Sequence, residues 1–388
     1  MTSRLPYGKQ SIGPEEHNLV REVLDSDWLT QGPRLRQFEQ ALQDLCQAPH
    51  AFAVTNGTDA LLLACRTAGL GPGDRFITTP NTFAATANAA VMCGAEPVFV
   101  DIDPETLNID PDLVEKALAA DPSIKVILPV HFAGLVCPME HLADLAEQYQ
   151  AIIIEDACHA IGGQWQDRSS QWHPVGSCAR STMTCFSFHP VKCMTTGEGG
   201  AVTTGDDELA RRLGLLRSHG ITKDENILEK NDGGWYYEMH DLGINARMTD
   251  LQAAIGLAQI KRLPQWRQRR LELVRQYDAD FADLHEISTQ ARPSGEDRHC
   301  YHLMIMRTTR RKELYDFLHQ QGILVQVHYI PVHLQPYYRR VFGTGPGLCP
   351  HAEKYYSEAL SLPLFPAMSD QDRARTTTAV RQFHQQGG

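Results

Sequence analysis

The chain lacks the marks of several protein classes. No stretch approaches the roughly 18 consecutive apolar residues that would cross a bilayer, so no membrane partner is expected. The opening MTSRLPYGKQ has no apolar signal core. Basic residues do not gather: the densest run, RQRR (267–270), lies on a polar helical stretch, and the formal net charge is −11. A nucleic-acid backbone is therefore not an expected partner. Ten cysteines are present without a single C-x-x-C pair. Cys46, Cys65, Cys93 and Cys185 lie among apolar residues and read as small core side chains. HYIPVH (328–333) has two histidines five apart, but its proline and the missing third ligand argue against zinc; an apolar-polar rim around a substrate is the better functional reading, and no metal site is expected. Neither G-x-G-x-x-G, nor a P-loop, nor G-x-S-x-G, nor H-E-x-x-H occurs. These absences leave a soluble, reduced, cytoplasmic protein as the expectation.

What the chain does have is a rhythm. Its 388 residues, 42% hydrophobic, suffice for a full core and one large domain with an appendage. Helical patterns at 13–27, 33–47, 57–69, 82–94, 111–120 and 138–150 alternate with short apolar runs at 50–56, 74–80, 97–103, 124–132 and 151–160. That alternation predicts βα units on a mostly parallel sheet flanked by helices, an α/β fold. From about Asp250 the pattern changes. Residues 250–284 read as one long helix kinked at Pro264. Strands at 301–306 and 323–329 and a helix at 312–322 then follow, predicting a smaller C-terminal α+β domain. The expected division is a large domain at 13–255 and a small one at 256–388, with 1–12 packing near the active site.

Five places carry chemistry. SFHPVKCMTTGEGG (187–200) puts Lys192 just past the buried strand CFSF, on a tight connection rich in threonine and glycine. Desolvation there would lower the pKa of the amine and free it as a Schiff-base nucleophile; the plain alternative is an exposed loop lysine. TNGTDAL (55–61) places Gly57 and Thr58 where a strand meets a helix, a cradle for one phosphate or simply a helix cap. Asp156 closes the apolar run AIIIED, at the carboxyl end of a strand where ligands gather in such sheets. His159 follows three residues on. Phe83 opens a helix and could stack on a flat ring, though an aromatic at such a position is more often a core residue. Asn245 and Arg247 sit in LGINARMTD (242–250), a loop entering the long helix.

The order of these signals resembles the fold-type I pyridoxal-phosphate enzymes, and among them the DegT-type sugar aminotransferases. SDWLTQGPRLRQFEQ (26–40), TTPNTFAATANAA (78–90), VDIDPETLNID (100–110), EDACHA (155–160) and the Lys192 stretch are similar to that family, over nearly the whole chain. PYGKQSI (6–12), SFHPVK (187–192) and VQVHYIPVH (325–333) are similar to a subgroup that aminates a UDP-linked 4-keto-6-deoxy-N-acetyl sugar in pseudaminic acid biosynthesis, while TNGTDAL follows the broader family. The resemblance implies an aspartate-aminotransferase-like fold, pyridoxal 5'-phosphate as cofactor, and L-glutamate as amino donor. It implies that Lys192 carries the cofactor and moves the proton, and that Asp156 pairs with the pyridine nitrogen. Phe83 would stack on the ring, His159 would lie beside it, and Gly57, Thr58 and Ser187 would hold the phosphate. Asn245 would reach the phosphate of a neighbouring subunit in a homodimer with shared active sites. Tyr329 and the turn Gln31, Gly32, Pro33 would line the sugar nucleotide site. The rivals are a transaminase of another nucleotide-linked keto sugar, a dehydratase with histidine in place of the lysine, which Lys192 argues against, and a non-catalytic regulator.

Overall fold

The structure, a computed structural model, describes residues 4–292, 295 and 298–385. Its centre is a seven-stranded sheet: β1 (His50–Val54), β2 (Arg75–Thr78), β3 (Glu96–Phe99), β4 (Ile124–Leu128), β5 (Ile152–Asp156), β6 (Met183–Ser187) and β7 (Gly200–Thr204), in the spatial order β1-β7-β6-β5-β4-β2-β3. Every pairing is parallel except those of β7, which runs antiparallel to both β1 and β6. The strands are apolar on both sides because both sides are covered. Phe76, Val126 and Ile154 enter one core with the helix Gly57–Thr67; Ile77, Ile127 and Ile153 enter another with the helices Pro111–Ala120 and Met139–Tyr149. A third cluster packs Phe38 and Leu42 of the helix Pro33–Cys46 against Phe186 and Ala201.

The long helix is Asp250–Phe281, capped by Thr249, whose hydroxyl faces the backbone N–H of Gln252 while the Gln252 side chain reaches back. It runs on through Pro264. Ala253, Leu263 and Trp266 belong to the core that packs on the large sheet, whereas Leu273, Val274, Tyr277 and Phe281 belong to a separate core. The expected boundary at 255/256 thus falls within one helix. The second core lies against an antiparallel three-stranded sheet, Ser288–Thr289, Met304–Arg307 and Ala359–Leu362, and the helices Arg311–Gln320 and Asp370–Gln385.

The two strands expected in the small domain are shorter than their sequence suggests. In 301–306 only Met304 onward pairs in the sheet, because the N–H of His302 is taken by the carbonyl of Ala133. In 323–329 only Ile323–Leu324 is a strand, and it pairs in parallel with Leu5–Pro6. Beyond it Gln326 makes an isolated bridge to Ser361. This pairing brings Tyr7 to the cleft described next.

Candidate active site

A cleft of about 830 Å³ opens at the carboxyl ends of β1, β5 and β6. Its wall includes Gly57, Thr58, Phe83, Asp156, His159, Ser187, Lys192 and Tyr329, so eight of the expected residues meet in one place. Gln31, Gly32 and Asn245 do not line it. Gln31 and Gly32 lie at the start of the long helix: Thr30 bridges Thr249, and the Asp250 carboxylate accepts the N–H groups of Gly32 at 2.8 Å and Arg34 at 2.9 Å. Asn245 bridges Ser218, and both Gln31 and Asn245 are exposed.

The turn after β1 is a helix start with a built-in cap. The side-chain oxygen of Asn56 accepts the N–H of Asp59 at 2.8 Å. The N–H groups of Gly57 and Thr58 have no helical carbonyl behind them and lie at the positive end of the helix dipole. Gly57 is required by a close approach: a Cβ there would stand 2.7 Å from the Cβ of Ser187 and 3.0 Å from its hydroxyl. The two N–H groups and the Ser187 hydroxyl therefore crowd into one small polar nook, which suits a phosphate. Gly57→Ala should push Ser187 aside and weaken pyridoxal phosphate binding about tenfold or more, measured by titrating the cofactor-free protein and following the visible band.

Asp156 is 5% exposed. One carboxylate oxygen accepts the Thr86 hydroxyl at 2.6 Å and the other the N–H of Cys158 at 3.1 Å. Thr86 in turn meets Thr82 at 2.7 Å. No cation pairs with this carboxylate among the described residues. A buried charge without a counter-charge is costly, and the protonated nitrogen of a pyridine ring would supply one. The nook at Gly57 and the solitary carboxylate are what pyridoxal phosphate needs, and the residues present fit it.

Behind Asp156, on the opposite side of β5, Glu155 is buried with His131. His131 Nε2 lies 2.6 Å from the Glu155 carboxylate, and its Nδ1 accepts the N–H of Cys137 at 3.2 Å, which fixes the ring proton on Nε2. Thr184 donates to Glu155 at 2.7 Å, and Ser181 donates as well. Burial alone would push the Glu155 carboxyl up; the hydrogen bonds from His131, Ser181 and Thr184 outweigh it and hold it below its usual range.

Lys192 is half-buried on a turn closed by its own N–H to the carbonyl of His189 at 2.9 Å. Both Thr195 and Thr196 return to the carbonyl of Phe188, at 2.9 and 3.0 Å, so the chain doubles back immediately. Gly197, at φ 86°, makes the reversal possible. Phe83, 61% exposed, stands at the mouth 6.1 Å from the ring of Tyr329. His159 accepts the N–H of Ala133 on Nδ1 at 3.3 Å, which leaves its Nε2 proton for the Tyr329 hydroxyl at 3.0 Å.

Sequence reasoning gave Thr86 and His302 no place in this wall; Tyr7, within the 1–12 segment expected near the site, and His328 of HYIPVH line it as well. Thr86 lies in the helix Ala84–Met92, and Thr82, just before that helix, reaches its hydroxyl. The two histidines of HYIPVH part company: His328 bonds Ser361 at 2.8 Å and His333 bonds Glu353 at 3.0 Å. Among the described residues no group of three or more His, Cys, Asp or Glu could hold a metal ion, and no helix is long and apolar enough to cross a membrane.

Residues 10–381 match the model of the DegT/DnrJ/EryC1/StrS aminotransferase family. The spore coat polysaccharide biosynthesis protein SpsC of Bacillus subtilis strain 168 is 40% identical over 384 residues, covering 97% of this chain and 96% of SpsC. Among solved structures, Helicobacter pylori PseC, an aminotransferase involved in the biosynthesis of pseudoaminic acid, superposes with a TM-score of 0.90 at 32% identity, over 99% of this chain and 100% of PseC. The putative sugar aminotransferase Spr1654 of Streptococcus pneumoniae, in its PMP form, superposes with a TM-score of 0.90 at 30% identity, over 98% and 99% of the two chains.

Proposed function

The chain belongs to the DegT/DnrJ/EryC1/StrS aminotransferase family, and from that premise we propose that it aminates a UDP-linked 4-keto-6-deoxy-N-acetyl sugar with L-glutamate as donor. That reading makes it a UDP-4-amino-4,6-dideoxy-N-acetyl-β-L-altrosamine transaminase of pseudaminic acid biosynthesis. As a family member it is a pyridoxal-phosphate-dependent sugar aminotransferase with an aspartate-aminotransferase-like fold. The observation that carries the chemistry is the meeting of Lys192, the unpaired Asp156 and the Gly57–Ser187 nook in one cleft. The finer substrate is supported by PYGKQSI, SFHPVK and VQVHYIPVH and by the likeness to PseC. The identity to SpsC favours a second reading, another nucleotide-linked keto sugar.

When bound, pyridoxal phosphate supplies an electron sink for the carbon that exchanges nitrogen. The chain's residues do the rest. Asp156 would accept the hydrogen bond of the protonated ring nitrogen and favour its charged form. Gly57, Thr58 and Ser187 would hold the phosphate. Phe83 would stack on the ring, and His159 would lie beside it. Lys192 removes and returns the proton at the substrate carbon that carries nitrogen. A second copy of the chain completes the site: Asn245 is exposed and does not line its own cleft, and Leu242, three residues before it, is 71% exposed, apolar area that a homodimer would cover.

The reading is tested by adding L-glutamate and then the UDP-keto sugar to the purified holoenzyme. Glutamate should bleach the visible cofactor band and the sugar should restore it. Bleaching without recovery across a panel of UDP-keto sugars would overturn the acceptor assignment.

A further inference from the structure

The start of the helix Ala84–Met92 is built against local habit. Its N-cap, Phe83, makes no side-chain cap. Threonines near such a start ordinarily offer their hydroxyls to the free N–H groups of the first turn. Thr82 and Thr86 are 2% and 0% exposed, and their hydroxyls face each other at 2.7 Å instead.

What lies beyond fixes the direction of that bond. The Thr86 hydroxyl stands 2.6 Å from Oδ2 of Asp156, in the range of a charge-assisted bond. An ionised carboxylate only accepts, so Thr86 spends its single proton there. The Thr86 oxygen is then left to accept, and Thr82 is the donor to it. The three groups form one directed chain, from Thr82 to Thr86 to Asp156, in which each bond polarises the next.

The rest of Asp156 is held by backbone. Its N–H is bonded to the carbonyl of Pro129 at 2.9 Å, and its carbonyl accepts the N–H of His131 at 3.1 Å. Only the carboxylate could still turn, and it is gripped at both oxygens by different segments. The N–H of Cys158 holds Oδ1 at 3.1 Å from the turn after β5, and Thr86 holds Oδ2 from the helix Ala84–Met92. A carboxylate has about four acceptor positions. Two are taken here, and Asp156, Thr82 and Thr86 all line the cleft.

We propose that Thr86, backed by Thr82, is a positioning residue for the cofactor: its hydroxyl fixes the plane of the Asp156 carboxylate so that the unused acceptor positions meet the ring nitrogen. This rests on the pairing of Asp156 with that nitrogen. Without the hydroxyl the buried carboxylate turns to find another donor, and the ring nitrogen meets a poorer partner.

The test compares pyridoxal phosphate with an analogue whose ring nitrogen is replaced by C–H. The full-length protein is loaded with each, and equilibrium dialysis gives the two dissociation constants. The analogue should bind the wild type more weakly, and the ratio of the constants reports the ring-nitrogen contact. Thr86→Val keeps the shape without the hydroxyl. Pyridoxal phosphate should then bind about tenfold more weakly while the analogue binds as before, so the ratio falls about tenfold. Thr86→Ser restores the hydroxyl and should restore the ratio. Thr82→Val should lower the ratio by less, since it removes only the support behind Thr86. Equal weakening of both compounds in Thr86→Val would overturn the proposal and leave Thr86 a packing residue; weakening of neither would overturn it as well. If Asp156→Ala leaves the wild-type ratio unchanged, the pairing with the ring nitrogen fails and this inference with it.

Discussion

Lys192→Ala is expected to lower turnover by about 10⁴-fold or more, the upper range of what a positioned acid–base group contributes, with loss of the covalent cofactor link added to it. Borohydride reduction followed by peptide mapping should find the cofactor on Lys192 in the wild type and on no lysine in the variant. The expectation is strong because the structure offers no understudy. Lys192 is the one lysine among the described residues that line the cleft. Lys192→Arg should fare no better: a guanidinium stays charged and cannot act as the nucleophile. The cleft itself should survive, since the turn is held by the backbone of His189 and by Thr195 and Thr196 rather than by the amine. A small exogenous amine should therefore restore part of the activity to Lys192→Ala. Trapping of the cofactor on another lysine would sink the assignment.

The second large effect concerns stability. Glu155→Ala should cost about 3–5 kcal/mol, because it strands the buried Nε2 proton of His131 and the hydroxyls of Ser181 and Thr184 together. Its pH dependence has a definite sign. The Glu155 carboxyl is held below its ordinary value in the folded protein, so its stabilising contribution is fully present above the unfolded value, about 4.3. The contribution is lost as pH falls through the lowered folded value. Thermal unfolding of wild type and variant should thus differ most near neutrality, and the gap should narrow as the pH drops below about 4. A constant gap from pH 7 down to pH 3 would show that Glu155 does not stabilise through its charge. The same loss should loosen the end of β5, so cofactor affinity should fall although Glu155 lies on the far side of the strand from the cleft.

The parts of the site that were legible in the sequence are those written locally. Asp156 ends an apolar run, Lys192 follows another, and Gly57 stands where a strand becomes a helix; each position is set by its immediate neighbours. The alternation of strands and helices gave the parallel sheet for the same reason. What stayed hidden depends on distant partners. Tyr7 reaches the cleft only because Leu5–Pro6 pairs with Ile323–Leu324. His302 looked like the second residue of a strand, and it is the Ala133 carbonyl, far off in sequence, that pulls it out of the sheet. Gln31 and Gly32 have their place explained by Asp250, whose carboxylate gathers their turn onto the start of the long helix. No periodicity could announce a tie between residues so far apart.

The long helix has a consequence for how this molecule can move. Its first half is a wall of the core over the lysine-bearing sheet, and its second half is a wall of the other core. A single helix shared between two cores, unbroken although Pro264 lacks an N–H to give, is a poor hinge. The two regions are distinct in packing without being mechanically independent. A sugar aminotransferase built this way is expected to offer its amino donor and its sugar acceptor one cleft of nearly fixed shape, and so to tell them apart by the side chains each one meets and not by closing around them.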